Sequence, residues 1–210
     1  MTTPESHNQV VYVVDDDAAI RNGMATLLSA AGYRCVTAPS ANEFLAALPA
    51  QPAGCVVLDI GLPGMSGLEL QDELSSRGSE MPIIFITGDA DVPMAVTAMR
   101  KGAIDFLLKP FDDELLLERI DAALELNAEL RQEHDIEAAV EEHVRDLTER
   151  EREVLDLVVT GKPNKVIAYD LGVSQRTVEI HRSRVMKKMG ARSLAELVRM
   201  HLRLNEKATG

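Results

Sequence analysis

Five short apolar runs punctuate the first half of the chain: VVYVV (10–14), RCVTA (34–38), GCVVL (54–58), MPIIFIT (81–87) and IDFLL (104–108). Between them, apolar positions recur at helical spacing. One helical pattern runs from Ala18 to Ala31 and stops at Gly32. Ser40 with Glu43, and Ser66 with Glu69, have capping-box spacing and open two more, the first reaching Leu48. DVPMAVTAMRKG (91–102) closes on Gly102, and a long helix begins near Asp113. Near-continuous apolar strands alternating with helices predict a parallel sheet covered on both faces. Right-handed crossovers make the compact solution a doubly wound α/β sandwich. Its ligand crevice lies at the carboxyl ends of the strands, near the switch in strand order.

Residues 112–146 contain no Gly or Pro and hold thirteen acids against three bases. They predict an extended helix or a helix pair. Leu117, Ile120 and Leu124 keep 3–4 spacing, but Asn127 and Arg131 break it, so a solvated linker and a short dimerising coil both stay open. From Leu147 onward the pattern is helical throughout. TERE (148–151) and SLAE (193–196) are further capping boxes, and two helices are separated by a tight LGVS turn.

Composition refines this picture. The 210 residues suit one large domain or two small ones, and 46% hydrophobic with 3% aromatic content and no Trp predicts an aliphatic core. Cys35 and Cys55 lie in apolar strand contexts and are expected as buried free thiols in a reducing compartment. The opening MTTPESHNQ lacks an apolar signal region, and no window approaches 18 apolar residues, so a soluble cytoplasmic protein is expected. The net charge of −12 is unevenly spread: residues 147–210 hold 13 Lys and Arg against 8 Asp and Glu. A basic last third on an acidic chain raises nucleic acid as a partner, because phosphate neutralisation is local.

Chemistry gathers at the strand ends. Asp15, Asp16 and Asp17 follow the first run, Asp59 ends the third, Thr87 ends the fourth and Lys109, followed by Pro110, ends the fifth. In a parallel sandwich these ends share one edge. Carboxylates packed there repel unless a cation binds, and hard oxygen ligands suit Mg²⁺ or Mn²⁺. An aspartate beside a divalent cation, a lysine and a threonine hydroxyl is a phosphoryl acceptor, with Asp59 as the nucleophile. The glycines after Asp59 let the backbone pass close, so the Gly61 carbonyl can join the metal. Pro110 is expected to hold Lys109 extended. Each acid alone reads as an ordinary loop carboxylate; the ordered set is the specific signal.

The segments VVDDD, VVLDIGLPGMSG, IIFITG and DFLLKPF resemble the receiver domain of bacterial two-component response regulators over roughly residues 8–126. The resemblance implies a flavodoxin-like fold and transfer of a phosphoryl group from a sensor histidine kinase to Asp59. It implies Asp16 as direct metal ligand with Asp15 as its partner, Thr87 and Lys109 on the phosphoryl oxygens, and Phe106 as the switch aromatic. Asp17 looks like a helix-capping acid. Gly61 and Asp89 depart from the family's usual residues at positions that would flank the phosphoryl group.

LTEREREVLDLVVTGKPNKVIAYDLGVSQRTVEIHRSRVMKKMGARSLAELVRM resembles the four-helix LuxR/NarL-type helix-turn-helix domain, and the whole chain looks closest to FixJ-type regulators. The expected order is an α/β doubly wound five-stranded parallel sheet (8–126), an acidic helical linker (127–146) and an all-α four-helix DNA-binding domain (147–207). Ser174 caps a helix whose N-terminus faces DNA. Val178, Val185 and Met189 share its core face. Lys165, Arg176 and Lys187 suit phosphates; Glu179, Ile180 and Ser183 suit base edges, with His181 and Arg182 on the flanks and Thr177 beside the cap. The resemblance implies promoter DNA and RNA polymerase as partners, homodimerisation on phosphorylation through the surface of helix 91–102 and strand 104–108, and transcription switched upward. The rivals are a haloacid-dehalogenase-type phosphatase, against which Gly61 stands where a second Asp is needed, a phosphate-independent DNA binder, and a phosphate sink that does not touch DNA.

Overall fold

In a computed structural model of the chain, residues 9–88 and 92–207 are described, and they divide into two compact units between Arg131 and Gln132. Asp89 lies outside the described residues.

The first unit alternates β1 (Val10–Val14), α1 (Ala18–Ala30), β2 (Arg34–Ala38), α2 (Ala41–Ala47), β3 (Gly54–Asp59), α3 (Gly67–Ser76), β4 (Ile83–Thr87), α4 (Val92–Arg100) and β5 (Asp105–Leu108). All neighbouring strands pair in parallel, in the order β2-β1-β3-β4-β5. β1, β3 and β4 are buried at every position, which is why their sequences are unbroken apolar runs. One face packs Tyr12, Val14, Leu58, Phe85 and Leu70; the other packs Val11, Val13, Cys55, Ile84, Leu116 and Ile120. The order reverses between β1 and β3, so the crevice opens beyond Val14 and Asp59.

The 112–146 stretch is one continuous helix, α5 (Asp113–Arg145), rather than a pair. Its Asn127 is buried, and the side-chain Oδ1 accepts from the Gly54 N–H at 2.8 Å. The polar residue that interrupts the apolar series therefore satisfies the first amide of a central strand. Gly54 can be nothing larger: its φ is +135°, and a Cβ there would stand 1.8 Å from the Val10 carbonyl oxygen.

The second unit continues with α6 (Glu149–Val159), α7 (Asn164–Asp170), α8 (Gln175–Lys188) and α9 (Leu194–Lys207) around Val140, Val154, Leu155, Ile167, Val178, Val185, Met189 and Leu197. The capping boxes at Ser66/Glu69 and Thr148/Glu151 close in both directions. The SLAE box is corrected by one residue. Ser193 caps the Glu196 amide, but the Glu196 carboxylate accepts from the Arg192 N–H at 2.8 Å, so the acid reaches one position further back. Cys55 is buried, and desolvation pushes its thiol up to about 12. Cys35 is only half-buried, because β2 is an edge strand. Both cysteines are free, with β1 between their strands. No helix among the described residues is long and apolar enough to cross a membrane.

Candidate functional site

The strand ends converge as the alternation requires. β1 delivers Asp15 into full burial. Its Oδ1 accepts from the Asp17 N–H at 2.8 Å, and its Oδ2 accepts from Lys109 Nζ at 2.6 Å. Asp17 turns away to cap α1 through the Ala19 N–H at 2.7 Å. Asp59 closes β3 and is buried, with Lys109 Nζ 3.5 Å from its Oδ1. One ammonium thus faces two buried carboxylates. Burial pushes the Asp59 carboxyl above its usual range; Lys109 opposes that, Asp15 adds to it, and the Gly61 N–H donates to the carboxylate. A side chain at Gly61 would stand over the same group, since its Cβ would lie 3.7 Å from Asp59 Oδ2. Gly67 has no room at all: a Cβ would meet the Asp59 carbonyl oxygen at 2.4 Å, so α3 starts against the strand end only because this residue is glycine.

Asp16 is exposed, and one carboxylate oxygen from each of Asp15, Asp16 and Asp59 lies within 4.8 Å of the others. Three hard oxygen donors of net negative charge, open to water on one side, fit a small divalent cation. Thr87 is buried at the end of β4, and its carbonyl accepts from the Lys109 N–H at 2.8 Å. Pro110 follows Lys109 through a cis peptide bond. Phe106 is half-buried against the Tyr12 and Phe85 face of the core. Beside it, Met94, Val96 and Met99 of α4 and Leu108 of β5 expose apolar surface.

One contributor here has no local signal in the sequence. Buried Gln71 of α3 donates from Nε2 to the carbonyls of Ala98 and Lys101 at 3.2 Å each, and Lys101 Nζ pairs with Asp72 at 2.7 Å. These bonds hold the carboxyl end of α4 against α3.

In the second unit, α7 and α8 are joined by a turn in which Gly172 takes φ +64°. Ser174 Oγ caps α8 by accepting from the Thr177 N–H at 3.1 Å, and it also bonds the Thr177 hydroxyl. Val178, Val185 and Met189 are buried. Lys165, Ser174, Arg176, Glu179, Ile180, Ser183 and Lys187 are exposed. His181 and Arg182 are half-buried, and Arg182 Nη1 donates to Asn164 Oδ1 at 3.1 Å, so that guanidinium is partly engaged within the unit. Arg176, Glu179, Ile180, Ser183 and Arg184 line a shallow concavity of ≈ 470 Å³. Arg184 was not among the residues the sequence singled out. Its spacing was the available signal, since it stands four residues after Ile180 and eight after Arg176.

Two family descriptions match the chain: the response regulator receiver domain over residues 11–121 and the luxR family of bacterial regulatory proteins over 145–201. The transcriptional regulatory protein FixJ of Azorhizobium caulinodans is 48% identical over 192 residues, 91% of each chain. Among solved structures, the response regulator StyR is 44% identical with a TM-score of 0.85, covering 93% of this chain and 98% of its own. Full-length FixJ from B. japonicum is 40% identical with a TM-score of 0.57, covering 95% and 98%.

Proposed function

We propose a mechanism for a chain that belongs to the two-component response regulators in which a receiver domain precedes a luxR-family DNA-binding domain, the FixJ type. Such proteins are transcription regulators rather than dedicated enzymes; the receiver implies a sensor kinase as partner and the second domain implies DNA. In our reading, Asp59 is the phosphoacceptor. Its carboxylate oxygen forms a bond to phosphorus as the bond from phosphorus to the kinase's histidine nitrogen breaks. The carrying observation is the placement of Asp59 among Asp15, Asp16 and Lys109, where one ammonium and room for one cation answer three carboxylates. Asp15, Asp16, Asp59 and the Gly61 carbonyl would hold Mg²⁺ or Mn²⁺, which supplies charge neutralisation on the transferred oxygens. Lys109 and Thr87 bind those oxygens from the other side.

Engagement of Thr87 draws the end of β4 inward and lets Phe106 follow. The exposed apolar surface of Met94, Val96, Met99 and Leu108 supports pairing of two copies there. Paired second domains bind two half-sites in promoter DNA, with Lys165, Ser174, Arg176, Thr177 and Lys187 on phosphates and Glu179, Ile180 and Ser183 at base edges; His181 and Arg182 flank them. The bound dimer recruits RNA polymerase and raises transcription in the cytoplasm. The domain limits of the proposal are 8–126, 127–146 and 147–207, with the first five residues of the middle segment packed as part of the first unit. Sedimentation with Mg²⁺, with and without beryllofluoride, tests it. Wild type shifts from monomer to dimer and Asp59→Asn does not; an Asp59→Asn protein that still shifts would overturn the scheme.

A further inference from the structure

Helix α8 carries five Lys and Arg and one acid, Glu179. On a surface that meets phosphates, a carboxylate repels the backbone of every sequence alike. The fold gives no reason for it. Glu179 is exposed, and its side chain has neither a hydrogen bond nor an ion pair within the described residues. It is the fifth residue of α8, beyond the first turn in which the helix dipole rewards an acid. It lines the concavity with Arg176, Ile180, Ser183 and Arg184. Arg176 and Arg184 lie one turn either side of Ile180, which is 46% exposed.

We propose that Glu179 is a specificity filter for the duplex, its carboxylate accepting from the exocyclic amino group of a cytosine while Ile180 meets a neighbouring thymine methyl. The filter rests on the reading that α8 enters the major groove, where a cytosine presents N4 as a donor and a thymine its methyl group. The arginines on both sides keep the helix on the DNA. The carboxylate then penalises each register that offers no amino group, so it lowers affinity for random sequence and raises the ratio of specific to non-specific binding.

The test uses the full chain with Mg²⁺ and beryllofluoride. Wild type, E179Q and E179A each select duplexes from a random pool. Dissociation constants are then measured at one fixed salt for the wild-type site and for a scrambled duplex. Wild type is expected to enrich cytosine at one position of the half-site. E179Q moves that position to adenine, because a carboxamide pairs with adenine N6 and N7. E179A loses the preference, binds the scrambled duplex more tightly, and loses about tenfold in the specific-to-scrambled ratio. The filter is overturned if both variants enrich the wild-type site and shift both dissociation constants by one factor. A wild type that enriches nothing overturns instead the DNA reading beneath it, and the wild-type selection alone separates the two failures.

Discussion

Each unit buries a carboxylate beside a lysine, and the two pairs have opposite electrostatics. In the second unit Glu151 is buried at the start of α6. It accepts from Lys188 Nζ at 2.7 Å and from the Thr148 N–H at 2.9 Å, while Lys188 also donates to the Asp146 carbonyl. Charge and hydrogen bonds balance, and the Glu151 carboxyl is held down at about 2, chiefly by Lys188. In the first unit Lys109 divides itself between Asp15 and Asp59, and burial pushes Asp59 the other way. The matched pair is architecture. The mismatched one is a site with an unmet demand for positive charge, which is what an electrophile or a cation supplies.

The strongest way to break this comparison is to unmatch the second pair. Lys188→Met leaves a buried carboxylate without its cation and should destabilise the second unit by about 3 kcal/mol. Hydrogen exchange at the α8 core amides around Val178 and Val185 should then quicken about a hundredfold while first-unit amides keep their rates. The wild-type pair also has a pH signature. A depressed folded-state value means its contribution is full above the ordinary glutamate value of 4.5 and is lost as pH falls toward about 2. An intermediate effect is expected from Gly67→Ala. The added Cβ collides with the Asp59 carbonyl oxygen, so the first unit should lose about 2 kcal/mol in denaturant unfolding, with the second unit unchanged. The smallest effect sharpens the contrast. Burial raises Asp59, so its charged form opposes folding, and Asp59→Asn in chelator should slightly stabilise the first unit at neutral pH. That advantage should shrink as pH falls through the carboxyl's range, because the wild-type group then takes up a proton. A constant difference across pH would show that the Asp59 charge is not strained.

What was legible in the sequence follows the same division. Strands, helices and caps are local, so the alternation of runs such as VVYVV and GCVVL, and the Ser66/Glu69 and Thr148/Glu151 boxes, announced them. The strand-end cluster was legible because parallel topology alone brings Asp15, Asp59, Thr87 and Lys109 to one edge. The Glu151–Lys188 pair spans 37 residues and the Asn127–Gly54 bond spans 73, and no period in the chain connects such partners. Gln71 stands in α3 with no motif around it, and its bonds to the Ala98 and Lys101 carbonyls exist only because α4 lies beside α3. Arg182 matched a family pattern, but its bond to Asn164 depends on how α7 lies against α8.

Asn127 also bears on where this protein can be divided. A cut after residue 126, where the resemblance to a receiver ends, would strip the Gly54 amide of its acceptor inside a central strand. Recombination between relatives that splices a new output onto this receiver should therefore keep the first turns of the acidic helix through Arg131 with the sheet. The seam that modular exchange can use lies inside the helix, past the last residue that reaches back to the strands.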